Sequence, residues 1–273
     1  MKKIATYLLV VLLSVTYAGA QNKKELKLDS FSKIAFRASG KLYLRQGSTQ
    51  KVEIEGDSKY IEELDIRVES DKLIIGRDGN WSFFSWTDND HEKVMVYITV
   101  PNIEAVSVAG SGDVIGETRI TAKNLDLNVS GSGTLTLDAD ASGDMDADVS
   151  GSGRIELKGK CRELDSHVSG SGRVKMDITI AERANFGLSG SGKIQASGSA
   201  SEVKASVSGS GEVLAANLVT DKCDIRISGS GGVEINVIKE LDANISGSGT
   251  VTYKGNPAHV NSHASGSGKV RKF

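Results

Sequence analysis

Apolar and polar residues alternate along most of this chain. Leu125, Leu127 and Val129 form one such run, with polar residues between them, and Leu135 and Leu137 continue it. Alternation of this kind is typical of a β-strand with one buried face, since successive side chains point to opposite sides. No window has the spacing of a long amphipathic helix. The pattern therefore predicts an all-β protein.

The runs are separated by a repeated Ser-Gly-Ser-Gly or close variant. The first glycine of each Gly-Ser-Gly is Gly110, Gly131, Gly151, Gly170, Gly190, Gly209, Gly229, Gly247 or Gly266. Successive copies are 18 to 21 residues apart. A fixed period of this length is typical of repeat architectures. A degenerate earlier copy begins at Ala38, in the stretch Ala38-Ser39-Gly40-Lys41-Leu42-Tyr43-Leu44.

The alternation keeps its phase through each Ser-Gly-Ser-Gly, so the flanking strands bury the same face. A straight strand of that length would reach roughly 43 Å, which a coil of this period cannot accommodate. The chain must bend at the glycines, which have no side chain and the widest backbone freedom. We predict a single-stranded β-helix (β-solenoid) of about nine coils, with these glycines as structural corners and serines in two outer columns.

Three segments follow from these patterns. Residues 1–20 read as a signal peptide: Lys2 and Lys3 precede a short apolar run, and Ala18-Gly19-Ala20 resembles a cleavage site. Residues 21–107 are predicted to be a β-rich N-terminal portion that caps the solenoid, and residues 108–273 the solenoid itself. The strand patterns of the cap are Lys51–Glu55, Leu73–Ile75 and Val94–Val100. We expect an exported mature chain without a transmembrane segment.

Charge and composition exclude some classes of partner. The formal net charge is −2, and removing Lys2 and Lys3 makes it −4. A mild acidic excess argues against nucleic acid as a partner. Glycine is abundant, with 31 residues, but its regular spacing distinguishes the chain from a flexible linker.

The repeat resembles a known family. Phe31-Ser32-Lys33-Ile34 with Ser39-Gly40 resembles the opening of the putative auto-transporter adhesin, head GIN domain family, and Val106–Gly112 resembles its first full corner. The resemblance covers about residues 30–270. It implies a β-helical fold, an exported location and an origin in Bacteroidetes-type bacteria. It implies no catalytic residue, and the family's function is largely unassigned.

Gly-Ser-Gly also suggests phosphate binding or serine catalysis, and neither reading fits. Phosphate loops need a helix after the glycines, whereas here a strand follows each time. A serine nucleophile needs a base within hydrogen-bond reach. Two of the four histidines, His167 and His263, are predicted in one outward column five coils apart. We therefore expect no catalytic site.

Carboxylates concentrate in one outward column and beside it. The column is predicted to contain Asp126, Asp146, Asp165, Asn185, Lys204, Asp224, Asp242 and Asn261. Three stacked aspartates suit a cation such as Ca²⁺, and Arg154 and Arg173 are an alternative source of balancing charge. The acidic region Asp138–Asp148 also raises the alternative of a polysaccharide lyase or hydrolase. We predict no resident metal or cofactor and leave cation binding by this region open.

The two cysteines are predicted to be separate thiols. Cys223 falls in the inward column of Leu164, and Cys161 lies in the coil of Leu164, three coils away. The resulting separation of about 14 Å is too long for a disulfide.

A cluster of aromatic residues interrupts the N-terminal portion. Trp81, Phe83, Phe84 and Trp86 include both tryptophans of the chain. Such a loop suits either a contact surface for a sugar, a partner or a second subunit, or a plug for the end of the solenoid. Both readings stay open.

Together these features predict a non-enzymatic, exported cell-envelope or surface protein that presents a rigid rod for binding or adhesion. The expected partners are a glycan, an envelope protein or a second copy of the chain. Its location is predicted to be the periplasm, the outer-membrane surface or the extracellular space. The alternative is a polysaccharide-active enzyme on the same scaffold, because a β-helix hosts both kinds of function.

Overall fold

The computed structural model describes residues 23–76 and 94–273. Strand accounts for 74% of the structure and helix for 2%. The chain forms a β-solenoid of about eight turns, which confirms the predicted fold class. The predicted number of about nine coils is close, since nine successive corners enclose eight complete turns. In the described ranges no helix is long and apolar enough to cross a membrane.

The elements before the first full corner include one short helix. They are β1 (Lys24–Leu26), β2 (Lys33–Phe36), β3 (Gly40–Gln46), β4 (Lys51–Glu55), α1 (Ser58–Glu62), β5 (Asp65–Glu69), β6 (Lys72–Gly76), β7 (Val94–Val100) and β8 (Ala105–Gly110). The strands that follow build the regular coils. They are β9 (Asp113–Gly116), β10 (Ile120–Ala122), β11 (Leu125–Gly131), β12 (Thr134–Ala141), β13 (Asp144–Gly151), β14 (Arg154–Cys161), β15 (Glu163–Gly170), β16 (Arg173–Ile180), β17 (Arg183–Gly190), β18 (Lys193–Gly209), β19 (Glu212–Gly229), β20 (Gly232–Gly247), β21 (Thr250–Lys254), β22 (His259–Gly266) and β23 (Lys269–Lys272).

Each coil has two long sides that meet at the Gly-Ser-Gly corner. Strands before the corner stack in parallel as β8, β11, β13, β15 and β17, and we call this side the first face. Strands after the corner stack in parallel as β9, β12, β14 and β16, and we call this side the second face. The long strands β18, β19 and β20 contribute to both faces. On the first face the register is in phase from coil to coil, so equivalent residues form straight columns. The pairings of β18 with β19 and of β19 with β20 contain register shifts after the second-face segments.

The corner glycines have the backbone conformation that the bend requires. All nine first glycines have positive φ, between 106° and 123°. The hydrogen-bond ladder continues through the corner: the Ser152 N–H donates to the Gly131 carbonyl at 2.9 Å, and the Arg154 N–H donates to the Gly133 carbonyl at 2.9 Å. The backbone of the glycine-rich corner is thus paired with the neighbouring coil.

The core is a set of stacked apolar columns inside the coils. One column runs through Leu164, Ala184, Val203, Cys223 and Leu241, all buried. The alternation along each strand places these side chains inside, because neighbouring positions face outward.

Positive φ recurs on the second-face side of three coils, at Gly159, Gly198 and Gly255. At Gly159 an added Cβ would lie 1.7 Å from the Ala139 carbonyl oxygen. The coils on either side place Ala139 and Ile178 at this position, so it has no constant residue type.

The N-terminal strands extend both faces beyond the first regular coil. β2 pairs in parallel with β8 and β3 with β9, and the degenerate corner at Ala38 stacks on the first full corner. The hydroxyl oxygens of Ser39 and Ser111 lie 3.2 Å apart. β6 and β7 add one more parallel layer, on β2 and β3 respectively. Beyond this layer, the antiparallel pairs β4–β7, β1–β4 and β5–β6 replace the parallel stacking. The boundary predicted between residues 107 and 108 stays a prediction.

The carboxyl-terminal coil is less covered than the others. Every residue of β22 is exposed, including the inward-parity residue Val260 at 41%. In β20, one coil earlier, Leu241 and Ile245 are buried.

Candidate functional site

The outer surface of the first face consists of three parallel columns. The column nearest the corner begins at Ala109 and continues with eight serines, which we call the serine ladder. Its members are Ser130, Ser150, Ser169, Ser189, Ser208, Ser228, Ser246 and Ser265, and all are exposed. Stacked coils place these hydroxyls about 4.8 Å apart. Their hydroxyls make no hydrogen bond within the described part of the chain. The buried Ser166, by contrast, uses its hydroxyl within the fold and donates a hydrogen bond to the Ala147 carbonyl at 2.9 Å.

The column furthest from the corner contains the predicted aspartates. Asp126, Asp146 and Asp165 are directly stacked, as the spacing predicted, and the column continues to Asn261. Burial, followed by the charges of Asp165 and Asp126, raises the pKa of the Asp146 carboxyl. The Asn185 side-chain amide donates to Asp165 at 2.5 Å. This neutral donor offsets part of the repulsion between the stacked carboxylates at Asp165, the last aspartate of the three.

The carboxylates do not converge on a point. Across residues 23–76 and 94–273, no group of three His, Cys, Asp or Glu side chains is arranged to hold a metal ion. Arg162 bridges Asp144 at 2.6 Å and Glu163 at 2.8 Å, so part of the acidity is already paired. Cation binding by Asp138–Asp148 stays untested.

The middle column carries both histidines considered as bases. His167 and His263 share this column, five coils apart. The His167 main-chain N–H donates to Asp148 at 3.0 Å, and its Nδ1 lies 3.4 Å from the same carboxylate. The imidazole covers Gly187, where an added Cβ would lie 2.4 Å from the ring. Neither histidine is hydrogen-bonded to a serine hydroxyl in the described structure.

A shallow groove of about 300 Å³ crosses the first face near its carboxyl-terminal end. Its outward lining residues include Ser206, Ser228, Asn244 and His263. Arg226 borders the groove and is held by Asp224, with Nη2 to Oδ2 at 2.9 Å. The groove therefore presents hydroxyl, amide and cationic donors on a nearly flat surface.

The second face carries a basic column directly after the corner. Arg154, Arg173 and Lys193 are stacked in register, and we call them the basic ladder. Charge balance of the aspartates by Arg154 and Arg173 was one alternative from the sequence, but the corner separates these arginines from Asp146. Neither arginine forms an ion pair within the described ranges. The sequence signal is simple, since each ladder residue immediately follows a Gly-Ser-Gly.

Both cysteines are free and buried, as predicted. Burial, with a smaller effect of Asp144, raises the pKa of the Cys161 thiol to about 12. Burial, with a smaller effect of Asp224, also raises the pKa of Cys223. Thiols in this state are weak nucleophiles at neutral pH.

The predicted aromatic contact surface of Trp81, Phe83, Phe84 and Trp86 lies outside the described residues, as does the predicted signal peptide. The predicted corner glycines lie between the two faces, in a column flanked by serines.

Comparison with known families identifies this architecture. The family model described as "Putative auto-transporter adhesin, head GIN domain" matches residues 30–195 and 177–257. The chain belongs to this family. No curated protein matches the sequence.

Solved structures share the fold. A protein from Parabacteroides distasonis described as a putative lipid binding protein has a TM-score of 0.69 at 24% identity, covering 92% of this chain and 96% of its own. A putative adhesin from the same species has a TM-score of 0.71 at 21% identity, with the same coverage. A putative adhesin from Parabacteroides merdae has a TM-score of 0.64 at 22% identity, covering 92% and 95%. At these identities the likeness concerns the fold.

Proposed function

We propose that this protein is a non-enzymatic, exported protein of the cell envelope or cell surface, whose rigid rod binds a glycan or an envelope protein. The serine ladder is the observation that carries this proposal. Eight exposed hydroxyls stand in one straight column, and none of them bonds to another described residue. Because they contribute nothing to holding the coils together, they remain free for an external partner.

The surrounding chemistry suits a flat, polar partner. Hydroxyls, amides and carboxylates beside the serine ladder offer both donors and acceptors, which sugar hydroxyls require. A rod of stacked coils keeps these groups at fixed positions, which reduces the ordering cost of binding. The adhesin descriptions of the family and of two structural relatives agree with a binding role. The lipid binding description of a third relative suggests a further partner class to test.

The location is tested by cell fractionation and protease treatment of intact cells. We expect the protein in the envelope fraction, and protease digestion of intact cells distinguishes the surface from the periplasm. Recovery of the protein from the cytoplasm would contradict the proposal.

The binding face is tested with purified envelope polysaccharide and envelope proteins. Ser189→Gln with Ser208→Gln places bulky neutral side chains on the serine ladder and should abolish binding. Ser142→Gln with Ser199→Gln makes the same change at exposed positions away from the first face and should leave binding intact. Equal effects of the two pairs would contradict a role for the ladder. Appearance of shortened polysaccharide products during incubation would contradict the non-enzymatic assignment.

A further inference from the structure

The basic ladder is a run of like charges that the fold compensates only at one end, at Lys193. Arg154 lies directly opposite Arg173, which lies opposite Lys193. Directly opposed like charges destabilise a sheet. Arg154 and Arg173 are exposed and have no carboxylate partner in residues 23–76 and 94–273, whereas Lys193 pairs with Glu212 at 2.7 Å.

Further exposed cations stand on the same two strands. Lys158 of β14 and Lys175 of β16 have no ion-pair partner in the described structure. Glu156 lies directly opposite Lys175. Asp177, which accepts a hydrogen bond from the Ser197 hydroxyl at 3.1 Å, lies directly opposite Lys158. The basic ladder itself contains no acidic residue in the coils of Arg154, Arg173 and Lys193.

The corner supplies a second row of donors beside the cations. Ser152, Ser171 and Ser191, the middle residues of three Gly-Ser-Gly corners, are exposed two positions before the three ladder residues. Their backbone N–H groups donate to the neighbouring coil, as with Ser171 to the Gly151 carbonyl at 2.9 Å. Their hydroxyls make no hydrogen bond to residues 23–76 and 94–273. A guanidinium and a hydroxyl together match the oxygens of a carboxylate or sulfate group.

We propose that the basic ladder binds an acidic polysaccharide, whose chain lies along the corner parallel to the axis of the rod. This proposal rests on the proposed binding function and names a partner class for it. The cations repeat about every 4.8 Å along the axis, so a linear polyanion meets several of them at once. A polysaccharide fits better than a nucleic acid because, among the residues that the structure describes, no aromatic side chain stands in the basic ladder to stack on a base.

The test measures binding of the purified protein to polygalacturonate and dextran sulfate, with neutral dextran as the uncharged probe. We expect binding to both acidic polymers, no binding to dextran, and weaker binding as NaCl is raised. The triple variant Arg154→Gln, Arg173→Gln and Lys193→Gln should weaken binding by about tenfold or more, since three charged contacts are lost. Arg173→Gln alone should weaken it by about threefold and keeps the test valid if the triple variant unfolds.

A matched control removes the same number of charges elsewhere. Lys204, Lys222 and Lys239 each pair with a carboxylate away from the basic ladder. Their triple substitution by Gln should leave polysaccharide binding within twofold, or about 0.4 kcal/mol. Comparable losses of polysaccharide affinity in the two triple variants would overturn the assignment of the binding site to the basic ladder.

Two further probes separate other partner classes. Oligodeoxythymidylate and phosphatidylglycerol vesicles carry negative charge without a polysaccharide chain. Binding to either probe as tight as to the acidic polymers would overturn the polysaccharide assignment. The basic-ladder triple variant is also tested with the envelope partner that the serine-ladder variant no longer binds. If the triple variant still binds this partner, the basic-ladder proposal fails while the proposed function stands.

Discussion

Gly151 lies directly over Gly131 at the corner, and the two residues show why the repeat needs glycine. The φ of Gly151 is +111°, and an added Cβ would lie 2.8 Å from the Gly131 carbonyl oxygen. L-residues with a side chain rarely adopt this conformation. The substitution therefore meets both backbone strain and a contact with backbone that cannot move away.

Gly151→Ala should lower the free energy of unfolding by about 2–3 kcal/mol, as expected for a strained backbone position. Denaturant unfolding followed by circular dichroism measures this change. Ser152→Ala is the matched control, because Ser152 is exposed at the same corner and should change stability by less than about 0.5 kcal/mol. Equal effects of the two substitutions would contradict the corner account.

Phe186 fills the core between two small residues of its column. It is 2% exposed and stacks between Ser166 and Ala205. Phe186→Ala should destabilise the protein by about 3–5 kcal/mol, because the neighbours are too small to fill the cavity. Thermal unfolding checks this, with Ser189→Ala on the same strand as the exposed control. A variant as stable as the wild type would show that this column is not closely packed.

The sequence predicts the coil and most of the outer columns because the repeat is in register. Fixing the position of Gly151 relative to Gly170 also fixes Asp146 opposite Asp165 and Met145 opposite Leu164, as the structure shows. Wherever the alternation keeps its phase, local pattern and coil stacking point to the same arrangement.

The second-face glycines and the basic ladder were not predictable in the same way. Gly159 has positive φ, whereas the next coil places Ile178 at the equivalent position, so no fixed residue marks this backbone conformation. Arg154 and Asp146 are close in sequence, which suggested charge balance. The intervening corner places the two side chains on different faces. The distance between Asp146 and Arg154 along the sequence therefore does not show that they are apart in space.

Asp146 should make stability depend on pH through its raised pKa. A carboxyl whose pKa is raised by folding stabilises the folded state when protonated, so this contribution is complete below its ordinary pKa of 3.8 and is lost as pH rises through the raised pKa. Asp146→Asn should therefore stabilise the protein at neutral pH by about 1 kcal/mol, since it removes two like-charge contacts.

Thermal unfolding at neutral pH and at about pH 3.5 tests this, because the gain should vanish at the lower pH. Asp138→Asn is the control: it removes an exposed carboxylate of the second face and should give no comparable gain. A gain for Asp146→Asn that persists at low pH would contradict the electrostatic cause.

Cys161 and Cys223 should remain unmodified in the folded protein. Both thiols are buried, and burial raises the pKa of each, so little thiolate is available for alkylation at neutral pH. Mass spectrometry after iodoacetamide treatment should find no adduct on the native protein and two adducts after unfolding without reductant. A disulfide-linked pair of peptides would contradict the column positions of these residues.

Deletion of one whole coil tests the central claim that equivalent coils stack independently in register. Removing residues 152–170 joins Gly151 to Ser171 and leaves every column continuous, whereas removing residues 152–161 breaks the columns. Thermal unfolding followed by circular dichroism should show a cooperative β-sheet protein for the whole-coil deletion and loss of folding for the shorter one. Loss of folding in both, or retention in both, would contradict the account.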